Sequence, residues 1–418
     1  MKEFSVIVLA AGKGKRMYSN IPKVLHKICG MPMIYYPIKT LISLKHYIKQ
    51  IIVVVGYKSE DIKKNLDEFF PKENIEFAYQ KELLGTADAV KVALEKIKFE
   101  NVLILCADTP LLKKDTLLYF IKDYLEGNSV CSIITSKLSY PNQLGKIIRD
   151  DNQEIMGIEE QLDSKKRDIE VNSGIYIFNK EVLEDNLKKI QIKPKKKEYF
   201  LTDIISIIYR EGFKIRSFSS TEPEEIFGIN TRDDLIFAEN IIRRRLINQF
   251  INNGVYFLDK DSVFIQEGVK IGKDTVIYPF TFIEKNVIIG KNCSIGPFIH
   301  IREGTRISSN TQVGNFLELV RCKIGKNVKA KHFGYLGDTV IKDNVNIGAG
   351  TVTANFDGKK KNKTIIDKEA FIGSDTILVA PVKIGKKSLT GAGSVVTKNV
   401  KPNTVVAGVP AKFLKKVS

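Results

Sequence analysis

Apolar and polar positions change their rhythm along this chain of 418 residues. In the first half, short and almost unbroken apolar runs stand at Phe4 to Ala11, Gln50 to Gly56, Val102 to Ala107, Val130 to Ser136 and Gly174 to Asn179. Runs of this length, rich in valine and isoleucine, fit strands covered on both faces. Between them, stretches such as Leu83 to Lys96 and Lys114 to Leu125 carry apolar residues on one helical face. Strands alternating with helices predict an α/β unit, a Rossmann-like domain with a mostly parallel sheet and helices on both faces. Such sheets bind ligands beyond the carboxyl ends of their strands.

From Asp233 to Asn253 the rhythm becomes purely helical. Leu235, Ala238, Ile242, Leu246 and Phe250 recur at steps of three and four, and Gly254 is placed to end the helix. This segment reads as a connector, with Arg243 to Arg245 as a solvated face or a packing contact. Beyond it a strict period of six begins: Ile265, Ile271, Ile277, Ile283, Ile289, Ile295, Ile301, Ile307, Val313 and Leu319. After one-residue slips the series resumes at Ile324, at Ile341 and Ile347, and then at Ile366, Ile372, Leu378 and Ile384, continuing through Thr390 to Val396. Six is not a helical period, but it suits a short strand plus a turn, stacked as a parallel β-solenoid with the aliphatics inward. Between Thr353 and Ile366 the spacing is thirteen, and the polar, basic residues Asn355 to Lys363 should leave the solenoid as a loop. The expected division is therefore 1–232, a helical linker 233–253, and 254–418.

Composition narrows the function classes. A hydrophobic fraction of 43% and a charged fraction of 27% are ordinary for globular domains. No apolar run approaches the length of a membrane span, and the apolar start lacks the features of a signal peptide. Five scattered cysteines without CxxC or CxxH spacing suit a reducing cytoplasm and no structural zinc. The net charge of +18 invites a nucleic-acid reading. Yet the lysines are spread along the chain and no nucleic-acid-binding motif is present, so attraction of small polyanionic substrates is the expected use of that field. Neither a nucleic-acid nor a membrane partner is expected.

The first chemical signal is Leu9-Ala10-Ala11-Gly12-Lys13-Gly14-Lys15-Arg16-Met17, after the first strand. It lacks the third glycine of a dinucleotide fingerprint and the ending of a P-loop. What remains is a glycine-rich loop whose N–H groups can approach phosphates, with Lys13, Lys15 and Arg16 as counter-charges. Asp108, at the carboxyl end of another strand, is either a turn aspartate or a hard ligand for Mg2+.

The loop, followed by Pro22-Lys23-Val24-Leu25, Gln80 with Leu84-Gly85-Thr86-Ala87, and Ala107-Asp108-Thr109-Pro110, resembles the sugar-1-phosphate nucleotidyltransferase family over the whole first half. Gly145, Glu160, Asn172 and Asn230 extend the match. The resemblance implies in-line attack of a sugar phosphate on the α-phosphorus of UTP, with Mg2+ held by Asp108 and Asn230. It implies that Arg16 and Lys23 bind the triphosphate and stabilise the transition state, by positioning and charge neutralisation. Leu9, Ala10, Ala11, Gly12, Cys106 and Ala107 would line the UTP and UDP-sugar site. Gln80, Gly85 and Thr86 would meet the uracil edge, and Gly145, Glu160 and Asn172 the sugar. Cys106-Ala107-Asp108 stands where such bifunctional enzymes usually carry Tyr-Gly-Asp.

In the solenoid, His332 within Lys329 to Asp338, followed by Asn344 to Gly350, resembles the acetyltransferase half of bacterial bifunctional enzymes that make UDP-N-acetylglucosamine for peptidoglycan and lipopolysaccharide. The resemblance implies a left-handed parallel β-helix, a homotrimer, and acetyl-CoA as second co-substrate. An imidazole can take a proton from the glucosamine amine as it attacks the thioester, so His332 is the expected general base. Arg302, Arg321, Tyr335 and Asn346 would hold glucosamine-1-phosphate; Ala349, Asn355, Phe356, Ser374 and Ala392 would contact acetyl-CoA. Three departures stand out: Val320 replaces a family lysine, Phe356 a tyrosine, and Gly408 an arginine. A nucleotidyltransferase with a merely structural solenoid, or a basic scaffold without activity, are the alternatives. Of the other histidines, His26 reads as local packing or a surface position, His46 as surface, and His300 as outward-facing.

Overall fold

The structure is a computed structural model that describes residues 2–127, 129–138, 144–160, 169–194 and 197–417. The chain forms two compact units, Met1–Glu239 and Asn240–Ser418. No helix among the described residues is long and apolar enough to cross a membrane.

The sheet of the first unit is built on the strand Phe4–Leu9, flanked in parallel by Ile48–Val55 and Asn101–Cys106. Ile75–Tyr79 continues it in parallel at one edge. At the other, Ile169–Asn179 runs antiparallel between Asn101–Cys106 and Cys131–Leu138, and Ile215–Ser219 closes the edge in parallel with the latter. Alternate residues feed opposite faces, as the pleat requires. Val6, Val8, Ile51 and Val53 pack with Ile38, Leu41, Ile62, Leu66 and Phe120, from the helices Tyr35–Ile42, Ser59–Phe69 and Lys114–Gly127. Ile7, Ile52 and Val54 pack with Ala89, Val90, Leu183, Ile204 and Ile208, from Thr86–Lys91, Lys180–Leu187 and Asp203–Arg210. Each buried aliphatic contributes roughly 1.5–3 kcal/mol. The two-sided core leaves the strand ends as the place for polar chemistry.

The helix Arg232–Asn252 begins in the first unit and ends in the second, where Gly254 takes φ +83°. The second unit is a coil of two- to five-residue strands in three sheets of ten, eight and seven strands. Nearly all the strands pair in parallel, as in Phe264↔Phe282↔His300↔Glu318↔Tyr335. This is the strand arrangement of a left-handed parallel β-helix of hexapeptide repeats. The six-residue ladder points inward: Ile277, Ile283, Ile295, Ile301, Leu319, Ile366, Ile372, Leu378 and Ile384 are inaccessible. Ile271 is only partly covered. Ala330 and Leu336, six and twelve residues beyond Ile324, are further buried rungs. Buried threonines at the corners satisfy carbonyls of the same or the next coil, as with Thr275 Oγ1 to Gly290 O at 2.9 Å and Thr311 Oγ1 to Gly325 O at 2.8 Å.

Candidate functional site

In the first unit, a cleft of about 520 Å³ opens at the carboxyl ends of Phe4–Leu9 and Asn101–Cys106. Its lining includes Leu9, Ala10, Ala11, Gly12, Lys13, Gly14, Lys15 and Lys23, together with Gln80, Gly85, Thr86, Cys106, Asp108 and Glu198. Lys23 reaches across its end: its ammonium pairs with Asp108 Oδ2 and donates to Asn230 Oδ1 at 3.1 Å. Three residues far apart in sequence thus meet at one cation.

Local structure explains each placement. Gly14 has φ +61°, and a Cβ there would lie 2.5 Å from Lys23 Cβ, so glycine lets the two segments touch. Asp108 stands two residues past the end of its strand, and its carbonyl accepts from Ile229 N–H at 2.9 Å. Asn230 stands just before the helix Arg232–Asn252. Asp234 Oδ2 accepts from the N–H groups of Asn230 and Thr231, both at 2.8 Å, while Thr231 Oγ1 accepts from Asp234 N–H at 3.2 Å. This reciprocal cap fixes the entry of the helix, and with it Asn230.

Elsewhere in the lining, Gly85 has φ +105°, and a Cβ would come within 2.5 Å of Tyr199 O. Thr86 Oγ1 accepts from Leu201 N–H at 2.9 Å. Gln80 Nε2 donates to Gly85 O and Asp88 Oδ2 at 3.0 and 2.8 Å, which leaves its amide oxygen as an acceptor. Burial and neighbouring Asp108 push the Cys106 thiol up to about 12.

Three further expected residues form a second group outside this lining. Asn172 N–H donates to Gly145 O at 2.8 Å, and a Cβ on Gly145 would lie 3.7 Å from Glu160 Oε1. Glu160 accepts from Thr202 Oγ1, and Asn172 Nδ2 donates to Tyr176 OH at 2.7 Å. Gly174 links this group to the cleft, since its Cβ position is 3.9 Å from Cys106 Sγ. Two expected residues lie apart from this lining. Ala107 is inaccessible and its N–H donates to Leu9 O at 2.9 Å. Arg16 is exposed in the short helix Lys15–Met17 and is not part of the lining.

In the second unit, the candidate residues lie in columns along the coil axis. At the corner between the ten- and eight-stranded sheets, His332, Ala349, Ser374 and Ala392 occupy successive coils. Backbone bonds from Gly350 N to Phe333 O, Asp375 N to Ala349 O and Gly393 N to Ser374 O hold these turns together at 2.8, 2.6 and 2.8 Å. His332 is exposed and lies outside the aliphatic ladder. In preceding coils the corner carries Phe280, Phe298 and Phe316, stacked with ring centroids 4.9 and 4.8 Å apart and largely exposed. At the opposite corner of the eight-stranded sheet, Arg302 pairs with Glu318, and Arg321 makes a two-pronged contact to Asp338 at 2.6 and 2.7 Å. Asn355 Nδ2 donates to Asp338 Oδ2 at 2.6 Å. The Arg321 guanidinium, with the Asn355 donor, holds the Asp338 carboxyl below the ordinary aspartate range.

Tyr335 lies on the face between these corners, in register with Glu318. Asn346 does not join them; its strand belongs to the ten-stranded sheet, paired with Lys329 and Phe371. The predicted loop leaves the coil after Ala354 and is built around Asp357, whose Oδ1 accepts from Lys359 and Lys360 N–H groups at 2.9 and 2.8 Å. Those donors and Asn362 bring its carboxyl to about 2. Phe356 is 61% exposed beside it.

No group of three or more His, Cys, Asp or Glu side chains among the described residues could hold a metal ion. The oxygens of Asp108 and Asn230, both turned to one ammonium, are nonetheless a hard donor pair of the kind Mg2+ accepts when phosphates and water complete its shell.

Residues 5–222 match the nucleotidyl transferase family model. Residues 268–301 match the bacterial transferase hexapeptide model of six repeats, and 363–398 the hexapeptide repeat of succinyl-transferase. Among curated proteins the chain is 41% identical over 436 residues to the bifunctional protein GlmU of Thermosipho africanus, covering 96% of this chain and 94% of that protein. It is 40% identical to the bifunctional protein GlmU of Thermosipho melanesiensis over 96% of this chain and 93% of the other. For that of Carboxydothermus hydrogenoformans the values are 37%, 94% and 95%.

Proposed function

Because the chain belongs to the GlmU family of bifunctional proteins, we propose that it makes UDP-N-acetylglucosamine in two steps at two separate sites. The second unit transfers acetyl from acetyl-CoA to the amine of glucosamine-1-phosphate. The first transfers uridylyl from UTP to N-acetylglucosamine-1-phosphate, with pyrophosphate leaving. The observation that carries the reading is the convergence of Lys23, Asp108 and Asn230 at the end of the glycine-loop cleft.

In the first unit the open backbone of Gly12 and the cations Lys13, Lys15 and Lys23 receive the triphosphate. Arg16, exposed in the short helix Lys15–Met17 that follows the glycine loop, adds positive charge for the triphosphate. The amide oxygen of Gln80 accepts from the uracil ring N–H, with Gly85 and Thr86 along the same edge. Gly145, Glu160 and Asn172 hold the sugar. Asp108 and Asn230 would hold Mg2+, which would supply charge neutralisation for the phosphates. Lys23, whose ammonium meets the same two oxygens, supplies positive charge at that end of the cleft. Positioning and charge neutralisation then carry the displacement.

In the second unit the exposed ring of His332 takes the amine proton as nitrogen attacks the thioester carbon; the thiolate of CoA leaves and is protonated. Arg302, Arg321 and Tyr335 receive the sugar phosphate, with Asn346 contributed from the adjoining face, and Ala349, Ser374, Ala392, Asn355 and Phe356 receive acetyl-CoA. The exposed Phe280, Phe298 and Phe316 column supports assembly through the solenoid, here read as a homotrimer. None of the five cysteines forms a disulfide, which fits the proposed cytoplasmic location.

The test is a paired assay on the purified chain. Pyrophosphate should form from UTP plus N-acetylglucosamine-1-phosphate with Mg2+, and free CoA from acetyl-CoA plus glucosamine-1-phosphate. Pyrophosphate without CoA would reduce the solenoid to a structural role; a strong preference for GTP or dTTP would overturn the nucleotide assignment.

A further inference from the structure

One buried hydroxyl of the first unit adjoins the sugar group, and no motif names it. Tyr176 lies on the strand Ile169–Asn179 and is 2% exposed. Its ring stacks on Phe178 with centroids 5.7 Å apart, in the same core cluster as Ile104, Cys131 and Leu183. Its hydroxyl accepts from Asn172 Nδ2 at 2.7 Å. In a regular strand, residues four apart are separated by about 13 Å, too far for their side chains to bond in this way. Here the strand bulges. Asn172 stands opposite Thr135 and Tyr176 opposite Ile133, so Ser173, Gly174 and Ile175 are set against Ile134 alone. Gly174 takes φ +75° within the bulge, and its N–H donates to Asn172 Oδ1 at 3.0 Å. A backbone N–H can only donate, so this bond identifies the amide oxygen and turns the amide nitrogen toward the hydroxyl. Burial pushes the Tyr176 phenol up, so the amide meets a neutral hydroxyl at working pH.

The Asn172 amide is therefore held at both ends, and it keeps one N–H and one oxygen lone pair to offer elsewhere. We propose that Tyr176 is a positioning residue for sugar recognition: its hydroxyl, with the Gly174 N–H, fixes one orientation of the Asn172 amide and so decides which atom donates and which accepts toward the sugar. Without the hydroxyl the amide nitrogen loses its buried partner, and nothing opposes another orientation. The inference rests on Asn172 holding the sugar, and a double-mutant cycle separates the two claims. Tyr176→Phe keeps the ring and removes the hydroxyl; Asn172→Ala removes the amide to be positioned. Affinities for UDP-N-acetylglucosamine and for UTP are measured by calorimetry in Mg2+, and the KM for N-acetylglucosamine-1-phosphate is taken from pyrophosphate release.

In the native background Tyr176→Phe should weaken UDP-N-acetylglucosamine binding and raise the KM for the sugar phosphate on the order of tenfold. It should leave UTP affinity within about twofold, which also reports that the first unit is folded. In the Asn172→Ala background it should change sugar affinity by less than about twofold. Should Tyr176→Phe fail to fold, Tyr176→Leu removes the hydroxyl with a different shape and runs the same cycle. Equal losses in both backgrounds, or sugar and UTP affinity falling together in a folded variant, would overturn the positioning role while leaving the uridylyl-transfer reading intact. Native sugar affinity in Asn172→Ala alone would remove the premise and the role with it.

Discussion

The two units gather their chemistry in opposite ways. In the first, residues from three distant segments, Lys23, Asp108 and Asn230, converge on one point because strand ends and a helix cap deliver them there. In the second, candidate residues stand in columns, each supplied by the same corner of successive coils, and Asn346 falls on a different sheet from Tyr335. An α/β fold concentrates polar groups at one edge, whereas a solenoid spreads them along a surface and needs another surface to enclose a substrate. On the proposed reading, the difference teaches that one chain is enough for the first site, while the second is the one that assembly would serve.

That contrast can be broken most sharply by separating the two activities. His332→Ala should lower CoA release by 10²-fold or more, on the scale of a lost general base, and leave pyrophosphate release unchanged. Asp108→Ala should do the converse, with a loss of about 10² or more in uridylyl transfer. A variant that loses both in either assay would mean that the sites are not separate.

A smaller effect sharpens the account of the first cleft. Gly14→Ala puts a Cβ 2.5 Å from Lys23 Cβ in a backbone conformation that suits glycine. Uridylyl transfer should fall on the order of tenfold while acetyl transfer holds. An unchanged rate would show that Lys23 does not depend on this contact.

The columns predict a split between inner and outer residues of the solenoid. Leu319→Ala, in the inaccessible ladder, should cost about 2–5 kcal/mol of unfolding free energy. Phe298→Ala, 43% exposed, should leave each chain's stability within about 0.5 kcal/mol and shift sedimentation toward the monomer. Comparable destabilisation by both would contradict the inside–outside assignment.

The smallest effect concerns pH. His26 has a folded pKa below its unfolded value, so its contribution to stability is present above that unfolded value and is lost as pH falls. Thermal melting of the first unit should therefore weaken below about pH 6.5. His26→Asn should flatten that part of the profile.

How much of this was legible beforehand follows the same contrast. The six-residue period assigned the inward face of nearly every coil, because in a solenoid spacing alone determines direction. It passed over Ala330, too small to stand out as a rung, and Leu336, which precedes a slip. It placed Ile271 inward, where the structure leaves it partly covered. In the first unit, apolar runs located the central strands, but the orientation of Ile169–Asn179 is set by tertiary pairing and nothing in its residues marks it as antiparallel. The edge strands Ile75–Tyr79 and Ile215–Ser219 are half-exposed and escaped the search for apolar runs. Motif resemblance named Lys23, Asp108 and Asn230, yet spacing could not say that they meet. The cap by Asp234 and the tight contact at Gly14, which make them meet, were silent for the same reason: each is defined by a partner far along the chain.

The central claim, two independent sites joined by a diffusing sugar phosphate, is tested most directly by mixing the Asp108→Ala and His332→Ala variants. With glucosamine-1-phosphate, acetyl-CoA, UTP and Mg2+, neither variant alone should yield UDP-N-acetylglucosamine, and the mixture should. A mixture as inactive as its components, from variants that remain folded, would contradict the account.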